Sequence, residues 1–456
     1  MITVYITNFN YQKYLKQSVE SVLNQTTQDF ELIIIDDGST DNSREIIEQY
    51  RGHEKVTIIY QKNKGLNISN NVAMRVSNGK YIMRLDADDF LAETALEDMV
   101  SLLENDESLG LVFPDYFYVD ENGVITGEAR RHNFDKEVSL FDQPAHGACT
   151  MIRLEFLKKL GGYNESFTCQ DGYDLWLKFV TYFKVTNINK PLFYYRKHGN
   201  NLTTNEENIL KTRRLIKEAF VKKDVKKREN FVVIPARNTL IKGDSWPLYR
   251  VNGETILEMK VNTALNADST NCVAVISSDE AILSNSRDSF NDDNRVLVVD
   301  RPSKLASYTE TLDKSIDIAI EFAIEKGFTF KTVMTAALEF PFLSSEIFEE
   351  MIHTLYLFKT DSVLSVRPDN RMYYQHNGHT LTPILDQDKF VKVEREALYK
   401  SVGGLMLTSI ESFKKYGTMK CGKIGHVLVE KKNAFGVFNE FDLEIYKLLI
   451  ENDGNN

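Results

Sequence analysis

Short apolar runs alternate with amphipathic stretches from the first residue onward. Ile2-Thr3-Val4-Tyr5-Ile6 has strand length and stops at the polar turn Thr7-Asn8-Phe9-Asn10. From about Tyr11 to Gln25, Leu15, Val19, Val22 and Leu23 recur at helical spacing. Phe30 to Ile35 is a second, more apolar strand, followed by Asp36-Asp37-Gly38-Ser39-Thr40-Asp41, a turn joined to helix-start residues. A helix from Ser43 to Tyr50, a strand from Val56 to Tyr60 and a helix from Leu66 to about Ser77 come next. Gly79 punctuates the chain before Tyr81-Ile82-Met83-Arg84-Leu85, which ends in Asp86-Ala87-Asp88-Asp89. This alternation predicts a parallel sheet covered by helices on both faces.

The pattern restarts at Phe231-Val232-Val233-Ile234-Pro235. A helix from Ile256 to Ala267, strands at Cys272–Asp279 and Val296–Val299, and a helix from Ser315 to Lys326 follow. At 456 residues two or three domains are expected. The expected organisation is two Rossmann-like α/β domains in tandem, residues 1–222 and 230–452, joined by a basic linker at 223–229.

Composition removes several classes of function. A net charge of −11 argues against nucleic acid as the main partner. Cys149, Cys169, Cys272 and Cys421 are scattered with no CxxC pair, which supports neither a zinc ribbon nor a disulfide framework and favours a reducing, cytoplasmic compartment. The start of the chain carries no basic leader, and no apolar run reaches membrane-spanning length.

Ligands of open parallel sheets bind outside the carboxyl ends of the strands. Three such ends here carry Thr7, Phe9 and Asn10, then Asp36 and Asp37, then Asp86 and Asp88. Three carboxylates within Asp86–Asp89 repel one another, so they read either as ligands of Mg²⁺ or Mn²⁺ or as a solvated turn capping the next helix. Phe9 could stack on a nucleobase and Asp37 could accept an imide N–H, which uracil has and cytosine lacks; the alternatives are a core phenylalanine and a helix cap. A metal on Asp86 and Asp88 would neutralise a diphosphate, and together these groups describe a nucleotide-diphosphate sugar.

These motifs, with Ser21-Val22-Leu23-Asn24-Gln25, Asn63-Lys64-Gly65 and Gly79 to Asp89 in order, resemble the family-2 glycosyltransferases of the GT-A fold over residues 1 to about 205. The resemblance implies that Thr7, Phe9, Asn10, Asp37, Gly65, Asp86 and Ala87 contact the donor. It implies that Asp88 and Asp86 bind Mn²⁺ or Mg²⁺, with Asp89 left as the cap of the following helix. In Gln170-Asp171-Gly172-Tyr173-Asp174, Asp171 inherits the role of catalytic base, and Gln170 stands where the family usually has Glu; Asp174 is the rival. An inverting transfer needs such a carboxylate to take the acceptor's proton. In Tyr194 to Thr203, the family's closing segment, Arg196 or His198 would reach the diphosphate, or His198 would complete the metal shell. Asn70 stands where many members carry a phosphate-binding arginine.

Between Lys211 and Glu229, nine basic residues face three acidic ones. Ile209, Ile216 and Phe220 can share a helix face, giving either a helix packed on the transferase and then a linker, or a contact with anionic lipid on the inner face of the membrane.

The second half resembles the CMP-sialic acid and CMP-Kdo synthetases through Ile234-Pro235-Ala236-Arg237, Asn252-Gly253-Glu254-Thr255, Ser277-Ser278-Asp279 and Arg301-Pro302-Ser303-Lys304-Leu305-Ala306. Each piece is degraded. Asn238 to Asp244 replaces a glycine-rich phosphate cradle, and Gly436 and Phe438 fall where the family has metal-binding aspartates. The domain is therefore expected to be an inactive scaffold that forms a homodimer through Arg371 to Leu407. The whole-chain expectation is an inverting transferase moving a sugar from a UDP-sugar to a glycan, lipid-linked or protein acceptor in bacterial surface-glycan synthesis. The alternatives are a bifunctional CMP-nonulosonate synthetase and transferase, and a non-catalytic nucleotide-sugar-binding protein.

Overall fold

In a computed structural model the four leading apolar runs become strands β1 (Ile2–Asn8), β2 (Phe30–Asp36), β3 (Val56–Tyr60) and β4 (Tyr81–Asp86), ordered β3-β2-β1-β4 and all parallel. Ile2, Val4 and Ile6 share one face of β1 and Thr3 and Tyr5 the other, and all are buried, as a sheet covered on both sides requires. Register places Asn8 opposite Asp36 and Thr7 opposite Asp86. The polar ends of three strands therefore finish level with one another, which builds the site.

The helices between these strands are α1 (Gln12–Leu23), α2 (Ser43–Glu48) and α3 (Leu66–Val76). Leu15, Val19 and Val22 of α1 are fully buried, each contributing roughly 1.5–3 kcal/mol of transfer free energy before ordering costs. Strands β5 (Phe90–Leu91), β6 (Leu109–Val119), β7 (Ile125–Ala129), β8 (Met151–Arg153) and β9 (Lys184–Arg196) widen the sheet in the order β4-β8-β6-β9-β5, with β7 on β6. β8 runs antiparallel to β4 and β6, while β9 runs parallel to β6. Helices α4 (Ala95–Asn105), α5 (Leu154–Lys159) and α6 (Asp171–Tyr182) complete this part.

The structure describes residues 1–134, 136–167, 169–198, 206–306, 310–369, 371, 373–383 and 398–453. Contacts divide the chain into one unit of residues 1–213 with 371–397 and another of 214–370 with 398–456. The division falls within helix α7 (Glu206–Val221), which covers part of the basic stretch. Leu210, Ile216 and Val221 are its buried apolar residues, in place of the expected Ile209, Ile216 and Phe220. In the second unit Glu350 accepts from Lys217 Nζ at 2.8 Å and from Arg214 Nε at 3.2 Å, so neither cation is spare for a lipid surface.

The second unit holds a seven-stranded mixed sheet in the order Val296–Asp300, Thr270–Ser277, Asn230–Pro235, Thr332–Ala336, Tyr399–Ser409, Ser362–Pro368, Ile424–Leu428. The helix Ile256–Leu265 starts with a capping box: Thr255 Oγ1 accepts from Glu258 N and Thr255 N donates to Glu258 Oε2. Residues 372 and 384–397 of the expected pairing segment, and 199–203 of the closing segment, lie outside the described residues. Among the described residues no helix is long and apolar enough to cross a membrane.

Candidate active site

The level strand ends open into a cavity of about 670 Å³. Its β1–β2 side carries Thr7, Asn8, Phe9 and Asp37, joined by Gly65 at the start of α3. Asp86, Ala87 and Asp88 follow from β4, which lies between the two halves of the sheet, and Asp171 from the start of α6. Phe9 is 44% exposed and lines the cavity, so it is no core residue. Asp37 Oδ1 accepts from Gln61 Nε2 at 2.7 Å and Lys64 N at 2.9 Å, and Oδ2 accepts from Gly65 N at 2.9 Å. The carboxylate thus anchors the approach to α3 rather than capping α2, and Oδ2 keeps acceptor capacity.

Asn10 is not among the cavity residues. It sits at φ 64° and its Oδ1 accepts from Thr40 N at 2.7 Å, so it ties the turn after β1 to the turn after β2. Arg196 departs further from the expectation. It is 1% exposed and absent from the cavity wall. Nε donates to Asp88 O, Nη1 to Asp120 O and Glu121 O, and Nη2 to Gln17 Oε1, at 2.7–3.1 Å. Five donors in a planar fork suit such a brace for backbone carbonyls. Arg196→Met is expected to lower stability by about 3 kcal/mol or more, since buried acceptors lose charged donors; a denaturant titration measures this.

Asp88 is buried, and burial first and then the Asp86 charge push its pKa up, while the His198 hydrogen bond pulls it down. Asp89 shows the same rise more strongly, from burial, Asp88 and Asp86. The structure corrects its role: Thr94 precedes α4 as its N-cap residue, and Asp89 Oδ1 instead accepts from Arg196 N at 2.8 Å. His198 is not among the cavity residues; its Nε2 lies 2.8 Å from Asp88 Oδ2 and its ring stacks on Tyr14 at 5.7 Å. That contact holds the Asp88 carboxylate in place.

The donor set fits Mn²⁺ or Mg²⁺. Two carboxylates at one strand end repel each other, and a hard divalent cation would relieve that repulsion. Among the described residues no group of three or more His, Cys, Asp or Glu is arranged to hold a metal. A metal on Asp86 and Asp88 would need its remaining ligands from outside these side chains, as is usual for Mg²⁺.

Arg84 escaped the sequence reading, although an arginine inside an apolar strand was its visible signal. It is 6% exposed; Nη1 pairs with Asp171 Oδ2, and Nε lies 2.9 Å from Asp86 Oδ1, an ionic contact without good hydrogen-bond alignment. Burial opposes its charge, but Asp171 and then Asp86 outweigh burial and hold its pKa above the ordinary range. A Cβ at Gly147 would stand 2.6 Å from Arg84 Nη2, so glycine is what lets that loop pass the guanidinium. Asn70, buried beside this pair, accepts from Tyr5 Oη at 3.2 Å and points Nδ2 at Asp171 Oδ2 at 3.5 Å.

Gln170 precedes α6 in a left-handed conformation, φ 60°, and its Oε1 accepts from Arg213 Nε at 2.6 Å. That turn presents Asp171 to the cavity. Asp174 is not among the cavity residues; it is buried, its pKa raised by that burial, and pairs with Lys178 at 2.7 Å. The opposite wall contains Tyr116 of β6, Tyr195 of β9, and Arg131 and His146 from the segment between β7 and β8, none of which the sequence reading singled out.

Comparison with known proteins identifies the family. A family model described as glycosyl transferase family 2 matches residues 3–161. An uncharacterized glycosyltransferase of Methanocaldococcus jannaschii is 33% identical over 205 residues, covering 43% of this chain and 70% of that protein. Chondroitin synthase of Escherichia coli is 32% identical over 230 residues, 50% of this chain but 34% of that protein, so this chain spans about a third of it. The E. coli UDP-Glc:alpha-D-GlcNAc-diphosphoundecaprenol beta-1,3-glucosyltransferase WfaP is 28% identical over 233 residues, 49% of this chain and 86% of that protein. S. aureus TarS 1-349 superimposes with a TM-score of 0.40 at 18% identity, over 49% of this chain and 66% of that one, a likeness too distant to carry an inference. The matched span includes β1 to β4 with Asp37, Asp86 and Asp88, and the chain belongs to glycosyl transferase family 2.

Proposed function

We propose that the first unit transfers a sugar, with inversion at the anomeric carbon, from a UDP-sugar to a saccharide hydroxyl in bacterial polysaccharide synthesis. The observation that carries this is the meeting of Phe9, Asp37, Asp86, Asp88 and Asp171 in one cavity. The donor and acceptor named for WfaP, and the polymer named for chondroitin synthase, support it.

Phe9 stacks on the uracil and Asp37 Oδ2 accepts its imide N–H. Asp86 and Asp88 would hold Mn²⁺ or Mg²⁺, which would supply positive charge to the diphosphate leaving group. The acceptor oxygen forms its bond to the anomeric carbon as the bond to UDP breaks, and the hydroxyl proton passes to Asp171. Arg84 holds Asp171 in place and, once that carboxylate is protonated, remains paired with Asp86.

The second unit serves assembly, including homodimer formation, rather than nucleotidyl transfer. Support comes from the segment expected to cradle a triphosphate, which folds into a tight hairpin pairing Leu240–Ile241 with Asp244–Ser245 through left-handed Lys242 and Gly243. Pyrophosphate release from CTP and a nonulosonic acid would overturn this.

Titration calorimetry on the full chain with Mn²⁺ tests the donor. UDP is expected to bind at least about tenfold more tightly than CDP, because cytosine leaves the Asp37 acceptor unpaired. Equal affinities would sink the assignment of Phe9 and Asp37.

A further inference from the structure

Three aromatic side chains from separate elements meet on the β6–β9 side of the cavity. Tyr116 comes from β6, His146 from the loop before β8 and Tyr195 from β9. Ring centroids lie 4.8 Å apart for His146 and Tyr195, 5.4 Å for Tyr116 and His146, and 6.2 Å for Tyr116 and Tyr195. Phe193 backs the group at 4.8 Å from Tyr116 and 5.2 Å from His146. Arg131 Nη2 donates to Pro144 O at 2.6 Å and pins the loop that carries His146.

His146 has a defined tautomer. Nδ1 accepts from Ala148 N at 3.2 Å, so Nε2 carries the proton, and among the described residues it has no hydrogen-bond partner. Burial pushes the ring's pKa down to about 4, so it stays a neutral donor at physiological pH. The wall therefore offers aromatic surface and one fixed N–H. A pyranose ring needs such a surface: its C–H faces are apolar and its hydroxyls lie around the rim.

Position separates this wall from the nucleotide side. Phe9 and Asp37 lie at the ends of β1 and β2, and β4 with Asp86 and Asp88 stands between them and β6. Gly147, the residue after His146, lies against the guanidinium that holds Asp171. A sugar on the wall is thus beside the proposed base.

We infer that Tyr116, His146 and Tyr195 form the subsite for the acceptor's terminal pyranose, with His146 Nε2 donating to one of its hydroxyls. This rests on the transferase reading above. The subsite takes a neutral or anionic sugar ring and leaves the nucleotide untouched.

Saturation-transfer NMR on the full chain, held with UDP and Mn²⁺, tests it with four probes: the methyl β-glycosides of glucose, galactose, N-acetylglucosamine and glucuronic acid. At least one is expected to receive saturation on its ring C–H groups. Tyr195→Ala should weaken its binding about tenfold, Tyr195→Phe should retain it, and His146→Phe, which keeps a ring but removes the donor, should weaken it. UDP affinity, read by calorimetry on the same samples, should stay within twofold of wild type in all three, which also shows that they fold. Glycoside signals that are absent in the wild type, or equal in wild type and Tyr195→Ala, overturn the subsite while UDP binding stands. Loss of UDP binding in a variant whose circular dichroism spectrum and thermal melt match the wild type overturns it in favour of a donor role. Absence of UDP binding in the wild type overturns the UDP-sugar reading on which the subsite rests.

Discussion

Asp171→Asn is expected to slow sugar transfer by about 10²–10⁴-fold, the usual contribution of a positioned general base. The asparagine is nearly isosteric and can still accept from Arg84, so the cavity keeps its shape. What it loses is the capacity to take a proton as the acceptor oxygen attacks. The loss should fall on kcat, with UDP affinity unchanged, because Asp171 stands on α6 while Phe9 and Asp37, proposed above to hold the uracil, stand at the ends of β1 and β2. The change also takes one of two carboxylate partners from a buried guanidinium. Hydrogen bonds to charged groups are worth about 1.5–3 kcal/mol, so a fall in melting temperature should accompany the kinetic defect. Asp174→Asn is the control: Asp174 is outside the cavity, and its replacement should leave transfer within a few-fold of wild type. Equal loss in the two variants would show that the base has been misassigned.

Asp88→Asn should lower transfer by about a thousandfold or more, given that charge stabilisation of a leaving group by a metal is worth several kcal/mol. Chelation of divalent cations should do the same to the wild type, and added Mn²⁺ should restore it. Stability should move the other way. The folded state raises the Asp88 pKa through burial and the Asp86 charge, so the ionised carboxylate costs folding free energy at neutral pH. For an acid whose pKa rises on folding, stability falls as pH climbs from the unfolded to the folded pKa. Asparagine removes that cost, and the metal-free variant should melt higher than metal-free wild type. Such opposition between stability and activity is what clustered functional charges produce. A variant that is inactive and also less stable would mean that the His198 hydrogen bond, not the carboxylate's charge, is what the site needs.

Much of the site was legible because its parts are local. A strand that is apolar throughout and then abruptly polar announces a buried sheet position and an exposed end, and β1, β2 and β4 each do so. The alternation of periods also implied that these ends share one edge. Arg84 was harder. Its isolated position in an apolar run marked it as unusual, but its partner Asp171 lies 87 residues on, across a helix start that periodicity cannot aim. Arg196 misled for the converse reason. A cation near a proposed diphosphate invites a functional reading, and only packing shows that backbone carbonyls and Gln17 take up its donors.

The sequence by itself determined the alternation of strands and helices in both halves, the polar strand ends, and the identity of the carboxylates that meet there. Tertiary structure decided which of those residues face the cavity. It put Phe9, Asp37 and Asp171 on the cavity, turned Asn10, Arg196 and His198 to other partners, and assembled Tyr116, His146 and Tyr195 into one wall. The physical reason is range. Periodicity and turn chemistry act over a few residues, whereas the direction of a side chain at a strand end depends on neighbours that only folding supplies.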